Sequence, residues 1–191
     1  MLFCGVDPGI TGAICIISLK RVEIIPMPVN KFTNSGKRET ELNFHALNSI
    51  FKMISCEPAY MMIEIQQPFR SQIWGKDEST GKSILVEDNS QGLSSTSKTM
   101  YNYGAIVMCA VANGIEHKCI SARKWQYHLF PTIKTGSTKL TSVAKAQELY
   151  PNVNLIPERG RTPSHGYADA LLIATYAKLS KNAAMDFYSR S

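Results

Sequence analysis

A mixed α/β sheet with helices on both faces is the architecture this chain predicts, and three observations predict it. Residues 2–27 fall into three short apolar runs separated by turn residues, and from about residue 39 onward helical and strand periodicities alternate. Three sequential strands that pass into strand–helix alternation read as an antiparallel meander extended by crossover units. At 191 residues and 44% hydrophobic, the chain is also long enough to fill one core as a single unit over 1–191.

Taken in order, strands are expected at 2–7, 12–19 and 22–27. The first two flank Asp7-Pro-Gly-Ile-Thr-Gly12. Pro8 cannot donate to a sheet ladder, and Gly9 and Gly12 tolerate unusual backbone angles, so the turn starts at Asp7 and leaves its carboxylate at a strand end. A polar loop follows, then a helix from about Glu39 to Ser55 with Leu42, Ala46, Leu47, Ile50 and Ile54 on one face. Ala59-Tyr-Met-Met-Ile-Glu-Ile-Gln-Gln-Pro68 reads as a strand whose only charge is Glu64. Beyond it, residues 69–98 are poor in apolar side chains and form a polar insertion of a length that is functional or disordered. A helix near 99–113, a strand at 115–120 and helices near 121–130, 138–150 and 166–181 complete the pattern. Pro151 ends the penultimate helix, and the last ten residues lack a clear period and are expected to fray.

Three carboxylates stand out. Asp7 is either a metal-facing strand-end residue or the ordinary first residue of an Asp-Pro-Gly turn. Glu64 sits in an apolar run, where a carboxylate is costly unless it meets a cation, or else points to solvent from an edge strand. Asp169 interrupts an Ala- and Leu-rich helical face after Ser164, a candidate N-cap, and His165 lies four residues before it on the same face. Read alone, His165 is a cap or surface residue. Acidic groups spread this way over two strand ends and a helix match the needs of a divalent-metal nuclease, with hard oxygen donors suited to magnesium or manganese.

Val6-Asp-Pro-Gly-Ile-Thr-Gly-Ala13, Ile63-Glu-Ile-Gln-Gln-Pro68 and His165-Gly-Tyr-Ala-Asp-Ala-Leu-Leu-Ile-Ala174 resemble, in order, the three signature blocks of RuvC-type Holliday junction resolvases. Tyr101-Asn-Tyr-Gly-Ala105 and Ser121-Ala-Arg-Lys-Trp125 resemble most the plant chloroplast resolvases and related phage and bacterial proteins. The resemblance covers about residues 2–179. It implies a ribonuclease H-like (retroviral-integrase-like) fold with a mixed five-stranded sheet. It also implies that Asp7, Glu64, His165 and Asp169 are catalytic and hold two magnesium ions, for which manganese would substitute. The implied reaction is in-line hydrolysis leaving a 5′ phosphate, with paired symmetric nicks in a four-way junction. One position departs: where many bacterial members carry an acidic residue or histidine three before the last Asp, this chain has Gly166. His165 is then a ligand, a proton donor or a phosphate contact.

The net charge of +6 and pI near 9.1 fit a polyanionic partner. Phe69, Arg70, Trp74, Lys98, Arg123, Lys124, Lys134 and Lys139 are the expected DNA contacts, aromatics among cations being suited to stacking and phosphate binding. Trp125 reads equally as a base-stacking residue or as core. A homodimer is expected on symmetry, since a four-way junction has approximate two-fold symmetry, and the 99–113 helix with Ile106, Val107, Met108 and Val111 is the expected interface. No stretch approaches the roughly 20 apolar residues of a membrane span. No basic leader is evident, and the five cysteines, with no C-x-x-C spacing, read as reduced core residues of an intracellular protein in bacterial, phage-infected or organellar surroundings.

A nucleotide cofactor is not expected. Gly81-Lys-Ser83 lacks the upstream glycine of a P-loop, since position 76 is Lys76. An actin-like or sugar-kinase-like ATPase shares the Asp7 turn but needs a second glycine loop. A ribonuclease H acting on hybrids and a catalytically silent junction-binding protein are the remaining rivals.

Overall fold

In the computed structural model, residues 1–67, 72–77, 80, 83–88, 92–130 and 138–189 are described, without the side chains of 72–75, 84–88, 138–140 and 183–189. The chain runs β1 (Leu2–Asp7), β2 (Ala13–Ile17), β3 (Val22–Pro26), β4 (Val29–Asn34), β5 (Lys37–Leu42), α1 (Phe44–Ile54), β6 (Ala59–Glu64), β7 (Gln72–Lys76) and β8 (Ser83–Asp88). It continues through α2 (Leu93–Ala112), β9 (Glu116–Ile120), α3 (Ala122–Leu129), α4 (Thr138–Leu149) and α5 (His165–Ser189). The main sheet has the order β3-β2-β1-β6-β9, and β4–β5 and β7–β8 are separate two-stranded ribbons. β1 and β2, and β2 and β3, pair antiparallel, whereas β6 runs parallel to both β1 and β9. The mixed five-stranded sheet is the expected one.

Alternation along the central strands sorts the core into two layers. Cys4, Val6, Ile14, Ile16, Met61 and Ile63 face α1 and α2, meeting Leu47, Phe51, Ile54, Ile106 and Ala110. Ala13, Cys15, Ile17, Tyr60 and Met62 face the other way, onto Ala168 to Ala177 of α5 and Trp125 of α3. Both faces of the sheet are therefore covered, which is why β2 is buried at every position.

Several boundaries differ from expectation for identifiable reasons. The helix expected from Glu39 begins at Phe44, because Asn43 is extended and its side chain accepts from the Ala46 N–H at 3.0 Å as an N-cap. Residues 37–42 instead pair with 29–34. The tip residues Ser35 and Gly36 take φ of 49° and 78°, which converts the expected polar loop into a tight ribbon. Part of the polar insertion likewise folds as β7–β8, and α2 begins at Leu93 rather than 99. α5 continues to Ser189 where fraying was expected. Among the cysteines, Cys4 and Cys15 are buried as expected, but Cys56 and Cys119 are exposed; all five are free thiols.

Candidate active site

The sheet register places the two strand-end carboxylates together. Val6 pairs with Ile63 across the parallel β1–β6 ladder, so the next residues, Asp7 and Glu64, end adjacent strands at the same edge. β6 lies between β1 and β9, which removes the edge-strand alternative for Glu64. Asp7 Oδ1 accepts from the Gly9 N–H at 3.1 Å, so the carboxylate both shapes its turn and faces the site. Gly12 is required here for space rather than for an unusual φ: a Cβ at that position would lie 2.2 Å from Asp7 O. Glu64 Oε2 accepts from Trp125 Nε1 at 2.7 Å. Trp125 is fully buried, so it anchors a carboxylate from the core and has no face available for stacking on a base.

The third carboxylate arrives on α5, and glycines decide how closely that helix can approach. A Cβ on Gly5 would stand 2.2 Å from Ala174 N and 2.3 Å from Ala170 O, so α5 crosses β1 backbone against backbone. At its start, a Cβ on Gly166 would meet Thr11 O at 2.4 Å and Asp7 Oδ2 at 3.2 Å. The first turn of α5 thus lies on the Asp7 turn, and no side chain fits at position 166, which accounts for the departure there. Ser164 caps the helix as expected, its Oγ accepting from the Tyr167 N–H at 3.4 Å. His165 opens α5 and shares a helical face with Asp169, whose Oδ1 is shielded from solvent.

Burial and mutual repulsion set the electrostatics. Glu64 is pushed up to about 7, first by burial and then by the charges of Asp7 and Asp169, against the Trp125 hydrogen bond that favours the ionised form. Burial also raises Asp7, partly offset by the Gly9 N–H. Asp7 and Glu64, both raised, together with Asp169 form a donor set of hard oxygens whose burial a divalent cation would relieve. Among the described residues, no three His, Cys, Asp or Glu side chains close into a ready metal cage. The donor chemistry of these hard oxygens fits a divalent metal.

Two solved structures share this architecture. Thermus thermophilus RuvC in complex with a Holliday junction substrate is 14% identical, with 94% of this chain and 96% of that chain covered and a TM-score of 0.51. A second Thermus thermophilus RuvC structure matches at 14% identity and a TM-score of 0.50, covering 94% and 97% of the two chains. This chain has the RuvC fold. No family model matches it, and no curated protein matches it by sequence. The near-complete coverage in both directions means that the RuvC likeness takes in the strands and helices that carry Asp7, Glu64 and Asp169.

The expected contact residues distribute unevenly over this RuvC-like frame. Arg123 and Lys124 are exposed in the first turn of α3, directly after the β9 end that pairs with Glu64. Cations at a helix N-terminus oppose the helix dipole, so these positions are unfavourable for α3 itself and suit an incoming anion. Lys98 is exposed on α2 but pairs with Glu39 at 3.7 Å. Phe69, Arg70 and Lys134 lie outside the described residues. Trp74 and Lys139 lie on β7 and α4 with their side chains outside them. On the expected dimer helix, Ile106 belongs to the core and cannot serve an interface, whereas Tyr101, Met108 and Val111 are exposed. The Trp125 contact with Glu64 was missed by sequence reasoning; the signal for it is the position of Ser121-Ala-Arg-Lys-Trp125 immediately after a strand parallel to that of Glu64. Among the described residues no helix is long and apolar enough to cross a membrane.

Proposed function

We propose that the protein is a metal-dependent, structure-selective DNA endonuclease that resolves four-way junctions by paired nicks. The observation that carries this reading is the convergence of Asp7, Glu64 and Asp169 at one edge of a RuvC-like sheet, where burial first, and then the charges of Asp7 and Asp169, raise Glu64 to about 7. Asp7, Glu64 and Asp169, with His165 beside them, would hold magnesium or manganese, two ions per site. When bound, the metal supplies neutralisation of phosphate charge and activation of the attacking water.

The chain's own groups prepare the site. Trp125 fixes one Glu64 oxygen from the buried side, leaving the other for the ligand. Gly166 lets the start of α5, the helix that carries His165 and Asp169, pack against the Asp7 turn. Arg123 and Lys124 flank the strand edge and would hold the backbone of the bound strand. A homodimer built through the exposed Tyr101, Met108 and Val111 face of α2 would present two such sites to two like strands.

The test is strand cleavage of a labelled four-way junction beside matched linear duplex and RNA:DNA hybrid, with magnesium and with chelator. Metal-dependent, symmetric nicks confined to the junction are expected. Cutting of the hybrid instead would make the protein a ribonuclease H, and binding without cutting would make it a silent junction-binding protein.

A further inference from the structure

The β4–β5 ribbon leaves the sheet at the edge where the carboxylates stand. The Met27 N–H donates to Gly12 O at 3.0 Å and the Asn43 N–H to Pro28 O at 2.9 Å, so the ribbon starts and ends beside the Asp7 turn. Residues directly opposite each other in an antiparallel pair share a face. The register pairs Lys31 with Thr40 and Thr33 with Arg38, giving one face two cations, two hydroxyls and no acid. The other face pairs Asn30 with Glu41, Phe32 with Glu39 and Asn34 with Lys37, and takes both acids together with the third cation.

Part of that face is tied down. Glu39 pairs with Lys98 of α2 at 3.7 Å, and Asn30 Oδ1 accepts from Asn43 Nδ2 at the start of α1 at 2.9 Å. Lys31 and Arg38 are exposed, and among the described residues neither forms an ion pair. Glu39 is thus drawn towards α2, Glu41 stays exposed on the same face, and the Lys31–Thr33–Arg38–Thr40 face carries cations and hydroxyls without an acid, the donors that contact phosphate oxygens. The ribbon's positive-φ tip keeps the two strands in a fixed twist, so those donors are held in place before DNA arrives.

We propose that the β4–β5 ribbon is a clamp for duplex DNA: its Lys31–Thr33–Arg38–Thr40 face lies on the sugar–phosphate backbone of the arm next to the cleavage site and positions that arm without reading its sequence. The proposal rests on the nuclease reading for its choice of a nucleic acid, and the experiment separates the two.

Binding of the full chain to a labelled four-way junction and to linear duplex is measured by anisotropy over a salt series in chelator, for wild type, K31A/R38A, K31R/R38K and K20A/K52A. Lys20 and Lys52 are exposed at the opposite end of the sheet and serve as controls. Losing two phosphate contacts is expected to make the slope of log affinity against log salt shallower by about 2, so that K31A/R38A loses about tenfold less affinity than wild type between 50 and 200 mM salt. K31R/R38K is expected to keep the wild-type slope, and K20A/K52A is expected to match wild type. An unchanged slope in K31A/R38A, with junction cutting intact in wild type, overturns the clamp alone. A ribbon-dependent slope on duplex in a protein that cuts no junction overturns the nuclease reading and keeps the clamp. Absence of any DNA binding overturns both.

Discussion

Replacing Glu64 with glutamine should make the metal-free protein more stable, and the gain should depend on pH. Glu64 has an ordinary value of 4.5 and is pushed up to about 7 in the fold, so between those values the folded chain holds a proton that the unfolded chain has released. Stability contributed at this group is therefore lost as pH rises through the 4.5 to 7 window, and the full cost is present above it. A shift of this size corresponds to at most about 3 kcal/mol, which solvent contact at the half-buried carboxyl reduces to roughly 1–3 kcal/mol. The substituted side chain would carry no charge and still accept from Trp125 through its amide oxygen. In chelator at pH 8, urea denaturation should thus find E64Q more stable than wild type by about 1–3 kcal/mol, or roughly 3–10 °C in Tm for a chain of this length. At pH 5 the gain should shrink to below about 1 kcal/mol. Magnesium should raise the stability of wild type more than that of E64Q, because the variant has lost one of the three carboxylates proposed to hold the cation. An E64Q variant no more stable than wild type at pH 8, or equally favoured at pH 5 and 8, would refute the account of a carboxyl raised first by burial and then by the charges of Asp7 and Asp169.

Other outcomes follow from the same geometry. Asp7→Asn should abolish strand cleavage while leaving junction affinity within about twofold, since no positive surface is removed; gel-shift and nicking assays on one preparation decide it, and normal cutting would remove Asp7 from the site. Trp125→Phe keeps the ring and loses the Nε1 donor to Glu64, so stability should fall by about 1.5–3 kcal/mol and cleavage should need more magnesium to reach half-maximum. Recovery of the wild-type rate at saturating magnesium is the expected sign that Trp125 positions rather than reacts. Gly166→Ala drives a Cβ to 2.4 Å from Thr11 O, and the resulting overpacking should cost about 1–3 kcal/mol and cut activity sharply. Gly104→Ala, where nothing lies within 4 Å of the added Cβ, should instead stabilise α2 by up to about 1 kcal/mol in the same denaturation assay.

Local chemistry made much of this legible in the sequence. The Asp7-Pro-Gly turn, the lone charge of the Glu64 strand and the Ser164 cap ahead of His165 and Asp169 are short-range patterns, and each was found where expected. The β4–β5 ribbon was missed because Glu39-Thr-Glu-Leu42 satisfies a helical period as readily as a strand, and only pairing with Val29–Asn34 chooses between them. Trp125 could be weighed in sequence only as core or stacking residue; its place as a donor to Glu64 needs the parallel register that sets Ile120 against Glu64.

The sequence by itself determined the sheet class, the three carboxylates and the excess of positive charge, because backbone propensity, side-chain period and residue chemistry are properties of neighbours along the chain. Tertiary structure decided which oxygens face one another, how far burial lifts Glu64, and that Glu39 of the β4–β5 ribbon pairs with Lys98 of α2. Those depend on groups far apart in sequence: Gly5 against Ala170 and Ala174, and Gly166 against Thr11. Where two backbones must touch, a missing Cβ sets the distance, and that distance becomes fixed only once the helix has packed on the sheet.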